Sequence, residues 1–390
     1  MIKTLEGVKV VDLTVAGSGP SATRLLAEYG ATVYMVEPLG GINTRTFFAE
    51  ADYYLTGKQS IPVNLKTPEG KEIITALLQS ADVFVTNYRM KAIKKLGLDY
   101  ETLHQLNPRL VYATLTGYGY QGPEKDSPGY DLVSYWCQAG LLDSITDRDG
   151  TALVPLTGYG DPTCGKTLVM GICAALYHQE MTGQGIEVTT SLLADGVYQN
   201  HTPIIETQHG GTWPKTRKTP DCAIQNTYRC RDGWFYLCAD EAVYLPGIFR
   251  AASLPELVDD PEWRTMEDTR GEKGAKLTAL LDEAFAPLFT DGAVDALKCH
   301  GVPCYKVLSQ FEVIHNRQAN ENHYWQPNEQ MSDGRRIMVQ SSPIRFGDNT
   351  PQDYIPVARL GEHTTQILQE IGFSEDLIRG FVEKGVVVAP

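Results

Sequence analysis

From residue 8 onward the apolar positions switch repeatedly between two periods. VKVVDLT is a β-branched run, PSATRLLAEYG spaces its apolar residues as a helix does, and TVYMVEP returns to a strand pattern. The alternation continues through strand-like QSIPVNL, helical PEGKEIITALLQSA, strand DVFVTN, helical MKAIKKLG and YETLHQLNP, and strand LVYATLTGYG. It predicts an α/β fold, with about the first 200 residues forming one doubly wound domain around a parallel sheet. Between about 120 and 160 the pattern gives way to the glycine-rich QGPEKDSPGYD and LDSITDRDGTALVPLTGYGD, and loops of that length are uncommon without a function. A long apolar helix pattern follows Asp161, then strand and helix in IEVTTSLLADGVYQN.

The texture then changes. HGGTWPKTRKTPDCA reads as a linker, AIQNTYRCRDGWFYLCA as a hairpin turning at Asp232 and Gly233, and several short helices follow. The tail LGEHTTQILQEIGFSEDLIRGFVEKGVV returns to amphipathic helices. The expected division is a large domain begun by residues 1–200, a linker at 201–221, a small domain at 222–325, and a segment at 326–390 that returns to the large domain.

A chain of 390 residues with 42% hydrophobic and 21% charged positions is long enough for two such domains. Its formal net charge of −14 argues against nucleic acid or an anionic membrane as partner, because both attract clustered Lys and Arg. The opening MIKTLEGVKVVDL enters a strand pattern without the sections of a signal peptide, and no apolar run reaches membrane-spanning length, so a cytoplasmic location is expected. The eight cysteines are scattered without a CxxC pair; reduced core thiols are expected, and no metal site.

Three stretches are candidates for chemistry. GSGPSA, Gly17 to Ala22, fits a dinucleotide-binding pattern after a strand, and Glu37 ends the next strand, where an acid would meet a ribose. Thr14, Val15 and Ala16 nevertheless separate strand from glycines, and Pro20 removes an amide that a pyrophosphate would need. In NYRMKAIKKLG, Arg89, Lys91, Lys94 and Lys95 follow a strand ending near Asn87, a place for a phosphate-bearing ligand or equally a solvated helix face. Asp161, followed by Pro162 and an apolar series, reads as the N-cap of a helix. A carboxylate there would be kept ionised by the helix dipole, hence available as a nucleophile.

Read in order, LEGVKVVDLTVAGSGPSATRLLAEYGATVYMVEP, NLKTPEGKE, DVFVTNYRMKAIKKLGLDYETLHQLNPRLVYATLTGYGYQGP, GDPTCGKTLVMGICAALYHQEMTGQG and LGEHTTQILQEIGFSEDLI resemble the family III CoA-transferases, the group of formyl-CoA, carnitine and bile-acid CoA-transferases. The resemblance spans nearly the whole chain. It implies a Rossmann-like large domain, a smaller α+β domain and an interlocked homodimer. The partners are then an acyl-CoA and a small carboxylic acid, with the coenzyme A thioester as substrate and no permanently bound cofactor.

The family nucleophile falls on Asp161, and the CoA-binding and substrate positions on Gly17, Ser18, Val63, Asn64, Leu65, Lys66, Asn87, Arg89, Lys95, Tyr130 and Asp131. Backbone amides at Gly17 to Gly19 and near Gly210 and Gly211 are candidate donors to an oxyanion. Gly17 stands where several members carry glutamine. Tyr130 stands where the α-methylacyl-CoA racemases of the same fold carry a histidine, and a phenol is a poor base for removing an α-proton. Racemase and NAD-dependent oxidoreductase are the alternative activities. TNYRMKAIKKLGLDYETL, TGYGYQGPEKDSPGYD, the KTP at Lys218 and the lack of a tetraglycine loop are similar to clostridial transferases that act on (R)-2-hydroxy acids such as phenyllactate or 2-hydroxyisocaproate.

Overall fold

Period-two strands and amphipathic helices assemble as their patterns require. The computed structural model describes residues 2–47, 51–156, 158–328, 337–347 and 355–390. The strands β1 (Lys9–Leu13), β2 (Thr32–Glu37), β3 (Gln59–Pro62), β4 (Val83–Thr86), β5 (Val111–Thr116) and β6 (Glu187–Ser191) form one parallel sheet in the order β3-β2-β1-β4-β5-β6. The direction of winding reverses between β1 and β4, and the carboxyl ends of those two strands open onto the crevice where such sheets bind ligands.

Neighbouring residues of each strand feed opposite cores. Val11, Tyr34, Phe84 and Tyr112 pack on one face of the sheet, while Val10, Val33, Val83 and Val111 pack on the other. The first face is covered by helices such as α2 (Pro68–Gln79), whose start is dictated locally: the Thr67 side chain accepts from the Gly70 amide at 3.0 Å and Pro68 opens the first turn. Its Ile73, Ile74, Leu77 and Leu78 are buried, and so are Ile367, Ile378 and Phe381 from the C-terminal helices Thr364–Glu370 and Glu375–Glu383, which join the same core. The other face carries α1 (Ser18–Glu28) and the long helix Gly160–Thr182.

The chain divides into two compact units. One comprises Met1–Leu141, Val154–His201 and Arg317–Pro390 and contains the six-stranded sheet. The other comprises Leu142–Leu153 and Thr202–Asn316, with its own three-stranded antiparallel sheet (Gln225–Arg229, Trp234–Cys238, Cys304–Lys306) and a core built on Tyr228, Phe235 and Phe285. Among the described residues no helix is long and apolar enough to cross a membrane.

Candidate active site

Two helix N-termini converge on Asp161. Helices α1 and Gly160–Thr182 cross with almost no space between them at Gly165, where a Cβ would lie 2.0 Å from Ser21 Oγ. Ser21 Oγ in turn donates to the carbonyls of Ser18 at 2.8 Å and Asp161 at 3.3 Å. That crossing brings the first turn of α1 onto the first turn of the long helix, and sets the Ser18 hydroxyl near enough to the Asp161 carboxylate to lower its pKa. Gly17 lies against the same carboxylate, since a Cβ built there would fall 2.3 Å from Asp161 Oδ2. Residue 17 therefore has no room for a glutamine while Asp161 points as it does.

Asp161 does not cap its helix, as the sequence reading expected. The helix begins one residue earlier, at Gly160, and Asp161 is its second residue; the cap position, Tyr159, forms no side-chain cap bond. The capping oxygens come from Asp131, at the start of the wide helical turn Asp131–Gln138. Asp131 Oδ2 accepts from the Gly158 amide at 2.6 Å and Oδ1 from the Gly160 amide at 3.1 Å. Gly160 must be glycine for this, because a Cβ would fall 2.5 Å from both Asp131 Oδ1 and the Tyr135 ring.

The expectation that the helix dipole keeps Asp161 ionised is likewise corrected. Burial, and then repulsion from the Asp131 carboxylate, push its pKa up to about 7, against the lowering effect of the Ser18 hydroxyl. Burial also raises Asp131, opposed by the amides it accepts from. Desolvation and a neighbouring carboxylate override a dipole that is worth at most about 2 kcal/mol.

The carboxylate opens into a cavity of about 200 Å³. Ser18, Asn87, Arg89, Tyr130, Asp131 and Asp161, all anticipated from the sequence, share its wall. Val63, Asn64, Leu65, Lys66 and Lys95 are not among the described residues that line it. Val63 is buried and bridged to Val387, Asn64 donates its amide to the Val386 carbonyl at 2.8 Å, and Lys66 and Lys95 are exposed. Gly210 and Gly211 follow the helix His201–Gln208 in the second unit.

The turn from Thr14 to Gly17 is held from several sides. Asn87 clamps Val15, its Oδ1 accepting from the Val15 amide at 2.9 Å and its Nδ2 donating to the Val15 carbonyl at 2.6 Å. Ala16 sits at φ 61°, a left-handed conformation unfavourable for a residue with a Cβ, and Thr44 Oγ1 donates to its carbonyl at 3.0 Å. Glu37 is not free for a ribose. It is buried and bonded to Arg45 Nε at 2.6 Å, Arg45 Nη2 at 2.7 Å and Ser60 Oγ at 2.7 Å, which removes the acid that a dinucleotide site would need.

Residues not named among the candidate site positions complete the wall, among them Tyr120, Lys125 and Leu192. The first two come from the irregular stretch after β5, whose length was the signal that could have found them. Gly117 and Gly129 bring the ends of that stretch together, a Cβ on Gly117 falling 2.5 Å from the Gly129 Cα. A second cavity of about 530 Å³ shares Met90, Tyr120 and Lys125 with the first and takes Lys91 and Lys94 in its wall.

A half-buried carboxylate against a glycine turn, at the carboxyl edge of a doubly wound sheet, describes an acyl-transfer enzyme more readily than a redox one. The chain belongs to CoA-transferase family III, whose model matches residues 5–364. It is 30% identical to (R)-2-hydroxy-4-methylpentanoate CoA-transferase of Clostridioides difficile, over 98% of this chain and 99% of that one. It is 31% identical to formyl-CoA:oxalate CoA-transferase of Streptomyces avermitilis, over 99% of this chain and 100% of that one. Its fold matches that of a CaiB/BaiF family protein from Brucella suis with a TM-score of 0.82 and 26% identity, covering 94% of this chain and 99% of the other. The protein is thus a transferase whose substrates include a coenzyme A thioester.

Proposed function

We propose that the protein moves coenzyme A from an acyl-CoA donor to a small free carboxylic acid of the 2-hydroxy, aryl or branched-chain kind, with Asp161 as nucleophile. The observation that carries this reading is the Asp161 carboxylate, half-buried against Gly17 and opening into a cavity beside two helix N-termini. Ionised Asp161 attacks the thioester carbonyl, and the carbon–sulfur bond breaks to give an aspartyl acyl anhydride and CoA thiolate. The thiolate then attacks the aspartyl carbonyl, releasing the donor acid as its carboxylate and leaving an aspartyl-CoA thioester. The acceptor carboxylate runs the same two steps in reverse, so the thioester's energy is retained.

The free amides in the first turn of α1, at Ser18 and Gly19, are suited to receive the oxyanion of each tetrahedral intermediate. Arg89 and Asn87 are suited to the CoA arm that enters the cavity, and the family resemblance extends that arm toward Lys95 and the segment from Val63 to Lys66. Asp131, whose oxygens are engaged by helix amides, supports the nucleophile's helix.

An interlocked homodimer fits the exposed stripe of Met170, Tyr177 and Met181, which are 70%, 70% and 67% exposed along one side of the helix Gly160–Thr182. The clostridial relative supports a 2-hydroxy acid acceptor, while the formyl-CoA:oxalate enzyme is about as similar overall.

Mass spectrometry of the protein quenched during turnover tests the mechanism: the Asp161 peptide should carry acyl or CoA mass. An unmodified peptide, together with no exchange across a panel of 2-hydroxy, aryl and short-chain acids, would sink the proposal. Tyr130 lines the cavity and is 64% exposed, so a racemase would have to deprotonate its substrate with a phenol. Solvent deuterium at the α-carbon of a 2-methylacyl-CoA would show that it does.

A further inference from the structure

Directly beneath the turn that carries Gly17 and Ser18 lies an ion pair that the chemistry does not touch. The Lys58 side chain is fully buried, and its Nζ donates to Asp12 Oδ2 at 3.0 Å, the Pro20 carbonyl at 2.9 Å and Thr23 Oγ1 at 2.6 Å. Those three bonds use all its protons. Asp12 is equally occupied, accepting from Thr14 Oγ1 at 2.5 Å and from Thr23 Oγ1 at 2.6 Å. The network therefore ties both ends of the turn, Thr14 on the strand side and Pro20 and Thr23 on the helix side, to one buried charge pair.

Such a pair is a poor choice for stability alone. Two charges lose their hydration, and well-packed apolar residues of the same volume are often as good or better. The turn it holds is one that would not hold itself, since Ala16 is left-handed and Gly19 presses on Thr14, where a Cβ would come within 2.5 Å of the Thr14 Cβ. Asn87 and Thr44 fix the outer side of the turn and Lys58 the inner side. The part of the turn left to face Asp161 is Gly17 and the Ser18 hydroxyl.

We propose that Lys58, paired with Asp12, is a positioning residue for transfer: it anchors the first turn of α1 so that Ser18 and the turn's amides stay in register with the Asp161 carboxylate. Lys58 touches no substrate in this arrangement and acts through the backbone at Pro20. The proposal rests on Asp161 being the nucleophile.

A double-mutant cycle between Lys58→Met and Ser18→Ala tests it, with kcat, the KM for acyl-CoA and the rate of Asp161 adduct formation as readouts. Lys58→Met should lower kcat and the adduct rate by about 30-fold or more, as misplacement by about an ångström does, with the KM changed less than about 3-fold. The double variant should be hardly worse than Lys58→Met alone, because loss of the Lys58 anchor already takes Ser18 out of register with Asp161. Effects that multiply, or a kcat that stays at the parental value, would overturn the proposal. Lys58→Met leaves Asp12 buried without its partner, so the variant Asp12→Asn/Lys58→Met, which has no stranded charge, is measured beside it. That variant should show the parental circular dichroism and the same loss of kcat; recovery of the parental kcat would overturn the positioning role. Absence of any adduct in the parental protein would remove Asp161 as nucleophile and this proposal with it, whereas parental labelling at an undiminished rate in Lys58→Met would remove only the role of Lys58.

Discussion

The raised pKa of Asp161 should be visible in the pH dependence of the first covalent step. Its carboxyl is pushed from an ordinary 3.8 up to about 7, which disfavours the ion by about 4 kcal/mol. In the proposed mechanism the attacking species is the ion, so the ionised fraction should set the rate of a free enzyme meeting its donor. With a pKa near 7 that fraction is about 1% at pH 5 and about 90% at pH 8, so kcat/KM should rise about 90-fold between them. An unperturbed aspartate would already be more than about 90% ionised at pH 5 and would give a nearly flat profile. The assay is the initial rate of Asp161 acylation at low donor concentration, using an acyl-pantetheine so that no substrate phosphate titrates in the same range. Asp131→Asn removes the like charge, and the apparent pKa should then fall, though not to the ordinary value, since burial is the larger cause. Asparagine keeps an acceptor oxygen for only one of the two amides, Gly158 or Gly160, so circular dichroism is checked beside the titration. A parental rate that changes less than about 3-fold from pH 5 to pH 8 would refute a near-neutral nucleophile. A pKa unmoved in Asp131→Asn would refute the coupling.

The same displacement affects stability. Between pH 3.8 and about 7 the folded chain retains a proton on Asp161 that the unfolded chain has released, so this group's contribution declines as pH rises through that window. Asp161→Asn should abolish transfer yet raise unfolding resistance at pH 8, by at most about 4 kcal/mol, with the gain vanishing toward pH 4; denaturant titrations at both pH values measure it. Gly17→Ala places a methyl group 2.3 Å from Asp161 Oδ2, and kcat should fall by about 100-fold with little change in circular dichroism. Gly160→Ala forces a Cβ onto Asp131 Oδ1 and the Tyr135 ring, which should cost about 1–3 kcal/mol in chemical denaturation. Ala16→Gly relieves the left-handed residue and should stabilise by about 1 kcal/mol, read as a higher denaturant midpoint.

Much of the large unit was legible because its determinants are local. β1, β2, β4, β5 and the helices between them follow from periodicity, and the start of α2 from Thr67 and Pro68. Asp161 was legible too, as a carboxylate in a helix-opening turn, and the family resemblance raised it to a nucleophile. What the sequence could not show is which atoms meet across the fold. Asp-Pro after a glycine turn looks like a cap from neighbouring residues alone, but the helix amides are taken by Asp131, thirty positions earlier in sequence, and nothing in either segment names the other. Once the cap is supplied from outside, Asp161 is released from hydrogen bonding to its own helix, and burial beside a second carboxylate makes it a weaker acid rather than a stronger one. The informative signal was in the glycines. Gly17, Gly160 and Gly165 each leave space that another group fills, namely Asp161, Asp131 with Tyr135, and Ser21. A carboxylate flanked by glycines in its own helix, and facing a glycine in another, is a group around which the backbone has been cleared, a clearance that a cap does not need and that the proposed nucleophile would use.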